Sequence, residues 1–399
     1  MSKAITIEAL NLDGERALIR VDFNVPLNKN GEITDDTRIR SALPTIQYAL
    51  DHGASVILMS HLGRPKGKVM PEYSLAPCAK RLSDLLGIEV KMAPDCTGKA
   101  TKKMAESLKP GEILLLENLR FEKGEEHPEK DPEFASKLAS LGTVYINDAF
   151  GTSHRAHSSI VALAKHFPGK AAAGFLLIKE IQYLGELLKD PSRPFCAIIG
   201  GAKISTKIGV IQALIPKLDA LIIGGGMSYT FFKAQGYSIG NSICEDDCLD
   251  LANEIIGKCM EENVSLVFPK DIVCATEISD QAETLTVNML DDGIPEGFEG
   301  VDIGPESIHL FEATLTQART IFWNGPLGVF EVPSFSHGTK AIAEILESQR
   351  ATKIVGGGDS VAALKAVGGL ESMTHVSTGG GASMEYIEKG SLPGLEVLK

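Results

Sequence analysis

The stretch FCAIIGGAKISTK, residues 195–207, joins a run of apolar residues to a glycine pair and two lysines. A short, continuous apolar run is typical of a parallel strand that is covered on both faces. Similar runs recur along the chain at 17–21, 54–59, 112–116, 143–146, 220–223, 265–268, 320–323, 353–355 and 375–377. Stretches with helical periodicity lie between them at 44–52, 75–86, 132–141 and 339–349. This alternation predicts an α/β fold with doubly wound parallel sheets.

A break in this pattern divides the predicted strands into two groups, which fits the observation that so many strands rarely share one sheet. Apolar residues at helical spacing fill 175–189, and the sequence DPSRP at 190–194 ends that helix. An ordinary surface helix within a single domain is the alternative. We expect two Rossmann-like domains, at 1–172 and 191–389, joined by a connecting helix and hinge at 173–190. The tail at 390–399 is too apolar to be loose, so we expect it to pack against the protein.

Composition and charge narrow the classes of partner. The chain has 399 residues, with 39 basic and 52 acidic side chains and a formal net charge of −13. Such an acidic protein is a poor non-specific ligand for nucleic acids or anionic membranes, so we expect neither as a partner. No apolar run approaches the ~18 residues of a membrane span, and the first residues lack a signal-peptide pattern. The seven cysteines include no CxxC pair, so we expect reduced thiols in a cytoplasmic protein.

Basic side chains follow the predicted strands of the first half, although the protein is acidic overall. In open α/β sheets, ligands bind beyond the carboxyl ends of the strands. The basic residues in or next to these loops are Arg38, His61, Arg64, Arg120, His154 and Arg155. An arginine can hold a phosphate or a carboxylate with two hydrogen bonds, although a single arginine often forms a structural ion pair instead. Several at equivalent positions predict a site for a small anion.

Glycine-rich turns take the same places in the second half, at 200–201, 224–226, 325–328, 356–358 and 379–381. Glycine lets the backbone approach a ligand, and a helix that starts there points N–H groups at an anion. Lys203 and Lys207 add positive charge, and Asp359 is a candidate ligand for magnesium. Tight packing of strand against helix also favours glycine, but the repeated pattern predicts a nucleotide site.

Two other classes of protein share a two-domain α/β organisation. A NAD-dependent dehydrogenase would need GxGxxG with an acidic residue about 20 positions further on, and neither is found. A non-catalytic two-lobed binding protein would not need lysines beside glycine turns. The motif GxxxxGK[ST] is absent as well, so the predicted nucleotide site is not a P-loop. His154 and His157 lack an evident third ligand, which favours loop or core histidines over a metal pair.

Longer blocks of distinctive sequence are spread along nearly the whole chain. They are RVDFNVP (20–26), SHLGRP (60–65), LLLENLRF (114–121), NDAFGTSHRAHSS (147–159), GGAKISTK (200–207), IIGGGM (222–227), FWNGPLGVFE (322–331), GGGDS (356–360) and STGGGAS (377–383). In this order they resemble the phosphoglycerate kinase family. Two positions depart from the family's pattern: Ser360, where threonine is frequent, and Ser153, where alanine is common. Ser360 keeps the hydroxyl group, so we expect little change from it.

The resemblance implies a monomeric enzyme of glycolysis that moves a phosphoryl group reversibly between 1,3-bisphosphoglycerate plus MgADP and 3-phosphoglycerate plus MgATP. The domain at 1–172 would bind the glycerate, the domain at 191–389 would bind the nucleotide with Mg²⁺, and the tail would pack back onto the first domain. A carboxylate acceptor has a pKa near ~4, so it needs no catalytic base. Catalysis would then rest on substrate positioning, charge neutralisation and hinge closure.

The family's residue roles carry over to matching positions. Arg38 and Lys203 would contact the transferring phosphoryl group, and the helix start at Gly380 and Gly381 would face its charge. The substrate-binding residues would be Asp22, Asn24, Arg38, His61, Arg64, Arg120 and Arg155. The nucleotide-binding residues would be Lys207, Gly225, Gly300, Asn324, Gly325, Pro326, Gly328, Glu331, Gly357, Gly358, Asp359 and Ser360. Asp359 would also bind Mg²⁺.

Overall fold

The chain folds into two compact units in the computed structural model, which describes residues 4–291 and 293–399. The first unit is Met1–Gln182 with Ser391–Lys399, and the second unit is Tyr183–Gly390. The division falls inside the helix that the sequence predicts at 175–189. Each unit contains a parallel six-stranded sheet with flanking helices, which confirms the predicted α/β class.

The first unit is built on strands that lie in the order β3-β4-β2-β1-β5-β6. These strands are β1 (Arg16–Arg20), β2 (Ser55–Met59), β3 (Val90–Met92), β4 (Ile113–Leu115), β5 (Val144–Asn147) and β6 (Ala171–Ala173). Its helices are α1 (Thr37–Asp51), α2 (Ala76–Leu86), α3 (Lys99–Ser107), α4 (Lys123–Glu126), α5 (Phe134–Ala139) and the start of α6 (Phe175–Lys189), which continues into the second unit. In the register of the sheet, Leu18 of β1 lies opposite Ile57 and Tyr145.

Burial on both faces explains why these strands are short and apolar. Every residue of β2 is buried, and one face of α1, including Ile39 and Ile46, packs into the same core as Ile19 of β1. The sequence prediction missed β3 and β6. β3 carries a lysine at its centre, and β6 consists of three alanines, so neither shows the β-branched composition that marks a strand.

The second unit contains a sheet in the order β15-β14-β13-β7-β8-β9. The strands of the unit are β7 (Phe195–Ile199), β8 (Ala220–Ile223), β9 (Ser265–Val267), β10 (Asp271–Ala275), β11 (Thr284–Asn288), β12 (Glu299–Ile303), β13 (Thr320–Asn324), β14 (Thr352–Val355) and β15 (His375–Val376). Its helices after α6 are α7 (Ile208–Leu214), α8 (Met227–Ala234), α9 (Leu249–Glu261), α10 (Pro305–Thr316), α11 (His337–Ser348), α12 (Gly358–Val367) and α13 (Gly381–Lys389). Trp323 of β13 and Ile198 of β7 lie at the centre of its core.

A three-stranded antiparallel sheet, in the order β11-β10-β12, adds to the second unit and was not predicted. Its register shifts between Val273 and Cys274, so the pairing of β10 with β12 is irregular. One side of β10 packs on an aromatic cluster that includes Tyr229 and Phe232. One residue of the predicted nucleotide site, Gly300, lies in this sheet, on β12.

The end of the chain returns to the first unit as α14 (Pro393–Glu396). Leu392, Leu395 and Leu398 are buried. The backbone N–H of Gly394 donates to the carbonyl oxygen of Ser153 at 2.8 Å. The tail is therefore packed, as its apolar composition predicts. Across the described ranges, no helix is long and apolar enough to cross a membrane.

Candidate functional site

Four adjacent strands of the first unit, β4, β2, β1 and β5, end at the same edge of their sheet. The predicted substrate residues follow these strands in turn: Asp22 and Asn24 after β1, His61 and Arg64 after β2, Arg120 after β4, and Arg155 after β5. Arg38 is the second residue of α1, the helix that follows β1. Neighbouring parallel strands carry their carboxyl ends together, so the fold gathers these residues at one edge.

Asp22 and Arg38 form an ion pair that joins the end of β1 to the first turn of α1. Nη1 of Arg38 donates to Oδ2 of Asp22, and Oδ1 of Asp22 accepts from the backbone N–H of Asn24 at 3.2 Å. The amide oxygen of Asn24 accepts from the backbone N–H of Gly63 at 2.9 Å. The Asp22 side chain is buried, whereas 34% of the Arg38 side chain is exposed. Arg38 is therefore held at one nitrogen, while about a third of its side chain remains open to solvent.

Arg120 is nearly buried, whereas Arg64 and Arg155 are exposed. Nη1 of Arg120 donates to the carbonyl oxygen of Gly63 at 2.7 Å, and Nε lies 3.2 Å from Oε1 of Glu126. Burial lowers the pKa of Arg120, and the Glu126 carboxylate opposes this shift. One arginine of the group is thus fixed by the protein, while the two others extend into water and can adapt to an anion.

His61 is buried against Arg20, a fully buried residue that the sequence prediction did not single out. Nη2 of Arg20 lies 3.2 Å from Nδ1 of His61. Burial, together with the charge of Arg20, holds the pKa of His61 well below its ordinary value, so the ring is neutral at pH 7. The sequence contains one feature that could have pointed to Arg20. A charged residue follows the apolar run ALI at this position, and it is the first residue of the block RVDFNVP.

In the second unit, five adjacent strands carry the glycine turns: β15, β14, β13, β7 and β8. The turns pack closely on one another. A Cβ on Gly325 would lie 2.2 Å from the carbonyl oxygen of Gly200, and one on Gly225 would lie 2.7 Å from the backbone nitrogen of Gly201. Gly325 and Gly225 also have positive φ angles of 97° and 64°. Tight packing therefore requires glycine at these turns, and the same absence of side chains leaves the backbone open to a ligand.

Lys207 is joined to the turn after β13. Its Nζ donates to Oδ1 of Asn324 at 2.6 Å, and Nδ2 of Asn324 donates to the carbonyl oxygen of Gly356 at 2.6 Å. Ser360 ties the same turns together, because its hydroxyl accepts from the N–H of Gly325 at 2.6 Å and donates to Gly356 at 2.7 Å. Burial lowers the pKa of Lys207, and the charge of Asp359 opposes this effect. These contacts bring four of the predicted nucleotide residues into one cluster.

Two helices begin at glycines beside this cluster. α12 follows Gly357, which has a φ of 93°, and α13 follows Gly380, which has a φ of 53°. A glycine has no side chain with which to cap the first N–H groups of a helix. Gly358 and Gly381 therefore open helices whose first turns can donate to an anion such as a phosphate.

Lys203 lies exposed in the loop that follows β7, and Asp359 lies exposed in the first turn of α12, the helix that follows β14. Among the residues that the structure describes, no group of three or more His, Cys, Asp or Glu side chains is arranged to hold a metal ion. A single exposed carboxylate suits Mg²⁺, which proteins usually hold with one or two carboxylates while phosphates and water supply the remaining ligands.

The other predicted nucleotide residues lie on β12 and after β13. Pro326, Gly328 and Glu331 belong to the segment between β13 and α11, and Glu331 is exposed. Gly300 lies in β12, where its N–H donates to Oγ of Ser242 at 2.9 Å. A Cβ on Gly300 would lie 2.2 Å from a side-chain oxygen, that of Tyr229, so packing alone requires glycine here.

Asp302, which the sequence reasoning missed, supports this segment. It is buried, its Oδ2 accepts from the N–H of Gly338 at 2.8 Å, and a Cβ on Gly328 would lie 2.3 Å from its Oδ1. Burial raises the pKa of Asp302 to about 7. No motif marks this residue, because it lies in the antiparallel sheet that the sequence pattern did not predict.

Together the two units offer the parts of an α/β phosphotransferase that acts on a small anionic substrate: arginines at one sheet edge, and lysines with uncapped helix starts at the other. The family model described as phosphoglycerate kinase matches residues 7–390. The chain belongs to the phosphoglycerate kinase family, whose enzymes transfer a phosphoryl group reversibly in glycolysis.

Individual relatives agree with this assignment over nearly their whole length. The phosphoglycerate kinase of Moorella thermoacetica is 53% identical over an alignment length of 399, and the match covers 99% of this chain and 98% of the relative. That of Thermosipho africanus is 50% identical over 394 residues, covering 98% and 96%. The solved structure of phosphoglycerate kinase from Coxiella burnetii has a TM-score of 0.89 at 43% identity and covers 99% of this chain and 98% of its own. That of the Pyrococcus horikoshii enzyme has a TM-score of 0.83 at 30% identity, with coverage of 99% and 98%.

Proposed function

We propose that this chain transfers the γ-phosphoryl group of MgATP to the carboxylate of 3-phosphoglycerate, and the reverse, with the glycerate on the first unit and the nucleotide on the second. The observation that carries this division is the different chemistry of the two sheet edges. Arginines and a histidine follow four adjacent strands of the first unit, whereas glycine turns with lysines follow five adjacent strands of the second. A triose phosphate suits the first edge, and a triphosphate chain suits the second.

The basic residues of the first unit would bind the two ends of the glycerate. Arg64, Arg120 and Arg155 supply the positive charge for the 3-phosphate, and His61 adds a neutral ring. Asp22 and Asn24 would contact the hydroxyl and carboxyl end. Both are already held by hydrogen bonds to the backbone N–H groups of Asn24 and Gly63, which fixes them before a ligand arrives.

Arg38 and Lys203 would neutralise the charge of the transferring phosphoryl group. The acceptor is a carboxylate, which is already ionised at neutral pH, so no side chain has to remove a proton. The contact of Arg38 with Asp22 occupies one of its nitrogens and leaves others for two phosphoryl oxygens. Catalysis then depends on positioning and on preorganised positive charge, to which the start of α13 at Gly380 and Gly381 contributes.

The nucleotide would lie along the glycine turns of the second unit. Lys207 and the start of α12, at Gly357 and Gly358, would hold the phosphates. Pro326, Gly328 and Glu331, with Gly225 and Gly300, would surround the adenosine. Asn324, Gly325 and Ser360 would keep the turns in register through the hydrogen bonds that already join them.

Asp359 would hold Mg²⁺ together with the nucleotide phosphates. The ion would neutralise the charge of the polyphosphate when bound. The fit rests on the donor set: one exposed carboxylate at the start of α12, within electrostatic reach of Lys207. We further propose that the protein is a cytoplasmic monomer. We also propose that its two units close on their ligands, since the chain crosses between the units only within α6 and after Gly390.

A coupled assay with 3-phosphoglycerate and ATP tests the proposed function. We expect saturable turnover that depends on both substrates and stops when a chelator removes Mg²⁺. Absence of turnover by the intact, folded chain would contradict the proposal. Saturable binding of a nicotinamide cofactor in its place would favour a dehydrogenase.

A further inference from the structure

A chain of polar contacts runs beneath the basic edge of the first unit and ends at His61. Nη2 of Arg20 lies 3.2 Å from Nδ1 of His61, and Nε of Arg20 donates to Oγ of Ser159 at 2.9 Å. The same hydroxyl donates to Oε1 of Glu125 at 2.6 Å. Arg20, Ser159 and Glu125 are fully buried. The contacts therefore link a buried carboxyl group and a buried guanidinium to one ring of the candidate substrate site.

The contact with Arg20 determines which nitrogen of His61 carries the proton. Arginine has only hydrogen-bond donors, so Nδ1 of His61 must offer a lone pair. A neutral imidazole whose Nδ1 is unprotonated carries its proton on Nε2. Across the described part of the chain, Arg20 is the hydrogen-bond partner found for this ring, which leaves Nε2–H for a ligand.

Glu125 lowers the free-energy cost of burying the charged guanidinium of Arg20. Its Oε2 accepts from the backbone N–H of Ser159 at 3.0 Å, so both carboxylate oxygens are used within the network. Burial raises the pKa of Glu125, and the charge of Arg20 opposes that rise. His157 has Nδ1 3.8 Å from Oε1 of Glu125, and burial lowers the pKa of this histidine to about 3. His157 is therefore neutral and does not replace Arg20 as the counter-ion.

We propose that Arg20 is a positioning residue, which fixes His61 in its Nε2–H tautomer so that the ring presents a neutral N–H donor to an anionic oxygen of the substrate. That this oxygen belongs to the 3-phosphate rests on the proposed function. In this arrangement Arg64, Arg120 and Arg155 supply positive charge, and His61 supplies a directional hydrogen bond. A cationic ring would be repelled by the adjacent Arg20, so the network excludes it.

Nitrogen-15 NMR of the imidazole groups tests the assignment without any change to Arg20. The signals of His61 are identified by their loss in His61→Gln. In the free, unsubstituted protein at neutral pH, we expect a neutral ring with the proton on Nε2. A proton on Nδ1, or on both nitrogens, would overturn the proposal.

Substitutions then test whether Arg20 acts through His61. Arg20→Met should release the tautomer and raise the KM for 3-phosphoglycerate about tenfold, with a smaller effect on kcat, because a hydrogen bond to a charged ligand is lost. In a His61→Gln background the same change should add nothing further. If Arg20→Met does not fold, Ser159→Ala, which removes the acceptor of Arg20 Nε, serves in its place. Additive effects on KM would show that Arg20 does not act through the ring.

Tyr145→Phe is the matched control. The Tyr145 hydroxyl donates to the carbonyl oxygen of Ser159 at 2.8 Å, and the side chain is fully buried. Its loss should lower stability yet leave both the His61 tautomer and the KM unchanged. If Tyr145→Phe shifted the tautomer as Arg20→Met does, general loosening of the core would explain both, and the specific role of Arg20 would be wrong. A correct tautomer in a protein without turnover would contradict the proposed function while supporting the role of Arg20.

Discussion

At the scale of single residues, Arg38 shows how a candidate catalytic residue is held by the protein in the absence of a ligand. Its ion pair with Asp22 joins two elements that both carry candidate substrate residues. A guanidinium has five N–H donors, so one contact with Asp22 leaves a face that can hold two phosphoryl oxygens. Asp22 therefore orients the Arg38 guanidinium and restricts the positions that this charged group can take.

Replacement of Arg38 by alanine should leave glycerate binding largely intact and lower kcat by several orders of magnitude. An interaction that is made mainly in the transition state affects kcat more than KM. Arg38→Lys should restore only part of the rate, because a point charge cannot bridge two oxygens. Steady-state kinetics with both substrates measures this effect.

Arg40→Ala is the control for that series. Arg40 lies on the same helix, and its Nε donates to Asp36 at 2.9 Å, outside the candidate site. Its replacement should leave kcat near that of the unsubstituted enzyme. A kcat of Arg38→Ala within a few-fold of the unsubstituted enzyme would remove Arg38 from the catalytic role.

The sequence indicates which residues lie at the strand ends, but it does not indicate which side chains they contact. The strand ends were visible because apolar runs stop abruptly at charged residues or glycines. The pairs were not visible, since Lys207 and Asn324 are 117 positions apart and Arg20 meets Ser159 across 139 positions. Such pairs depend on which strands are neighbours in the sheet, and periodicity carries no information about that.

At the scale of elements, the first turn of α6 depends on a side chain from β5's end. Oδ1 of Asp148 accepts from the N–H groups of Leu176 at 2.9 Å and Leu177 at 3.2 Å. A Cβ on Gly174 would lie 2.3 Å from that oxygen, so glycine makes room for this remote cap. Burial raises the pKa of the Asp148 carboxyl to about 7, against hydrogen bonds from the Thr45 side chain and from the N–H groups of Leu176 and Leu177.

We predict that Asp148→Asn removes a pH dependence of stability in the first unit. The folded-state pKa of Asp148 is raised from its ordinary value of 3.8 to about 7. The folded state therefore binds the proton more tightly, and its stability falls as the pH rises from about 4 to about 7. Asparagine keeps the accepting oxygen and cannot ionise, so the stability of the variant should match that of the native protein near the acidic end of this range, at about pH 4. Above about pH 7 the free energy of unfolding of the variant should exceed that of the native protein by on the order of 2–4 kcal/mol.

Thermal unfolding of both proteins across this pH range measures the difference. Asp51→Asn, at an exposed carboxylate on α1, is the control and should show no comparable divergence. A constant difference in melting temperature between Asp148→Asn and the native protein at every pH would mean that Asp148 does not titrate in this window.

The tail is the second element whose role can be tested. Leu395 is buried, and Nδ2 of Asn147 donates to the carbonyl oxygen of Gly394 at 3.3 Å, close to the end of β5. Leu395→Ala should therefore cost about 2–5 kcal/mol of stability, as is usual for a truncated core leucine. Glu396→Ala, at the exposed neighbour, should cost little.

Removal of residues 391–399 should lower the melting temperature further than Leu395→Ala does, because Leu392 and Leu398 are lost as well. Differential scanning calorimetry of the three variants orders these effects. A truncated protein with the melting temperature and turnover of the full chain would show that the tail does not support the first unit.

Elements were predicted unevenly for a physical reason. Strands that are buried on both faces leave continuous apolar runs, and every run predicted as a strand lies on a strand of the structure. β11 lies partly in solvent, with Val287 as its one buried residue, so its sequence TLTVN has no such run. β11 thus escaped prediction. β10 and β12 are mostly buried, but each contains an aspartate, and they were missed as well, together with the positions of Gly300 and Asp302.

At the scale of the whole molecule, the proposed reaction requires the ligands of two separate units to meet. The chain passes between the units at Gln182–Tyr183 within α6, and again at Gly390–Ser391. Phosphoryl transfer needs reacting atoms roughly 3–3.5 Å apart. Either ligand alone gains little from the opposite unit, so we expect each to shift the arrangement only partly.

Small-angle X-ray scattering should therefore give the smallest radius of gyration with 3-phosphoglycerate and Mg-nucleotide bound together. The free protein should have the largest value, and the singly liganded proteins should lie between. Equal radii in all four states, in a protein that still turns over, would mean that the substrates already meet in the resting structure.

The central claim is that each unit binds one substrate, and calorimetric titration of both ligands into two variants tests it most directly. Arg64→Ala removes a charge from the first unit, and Lys207→Ala removes one from the second. We predict that Arg64→Ala weakens 3-phosphoglycerate binding about tenfold or more and leaves Mg-nucleotide affinity unchanged, while Lys207→Ala does the reverse. If either substitution weakened both ligands equally, or if 3-phosphoglycerate affinity followed Lys207, the division of the substrates between the two units would be contradicted.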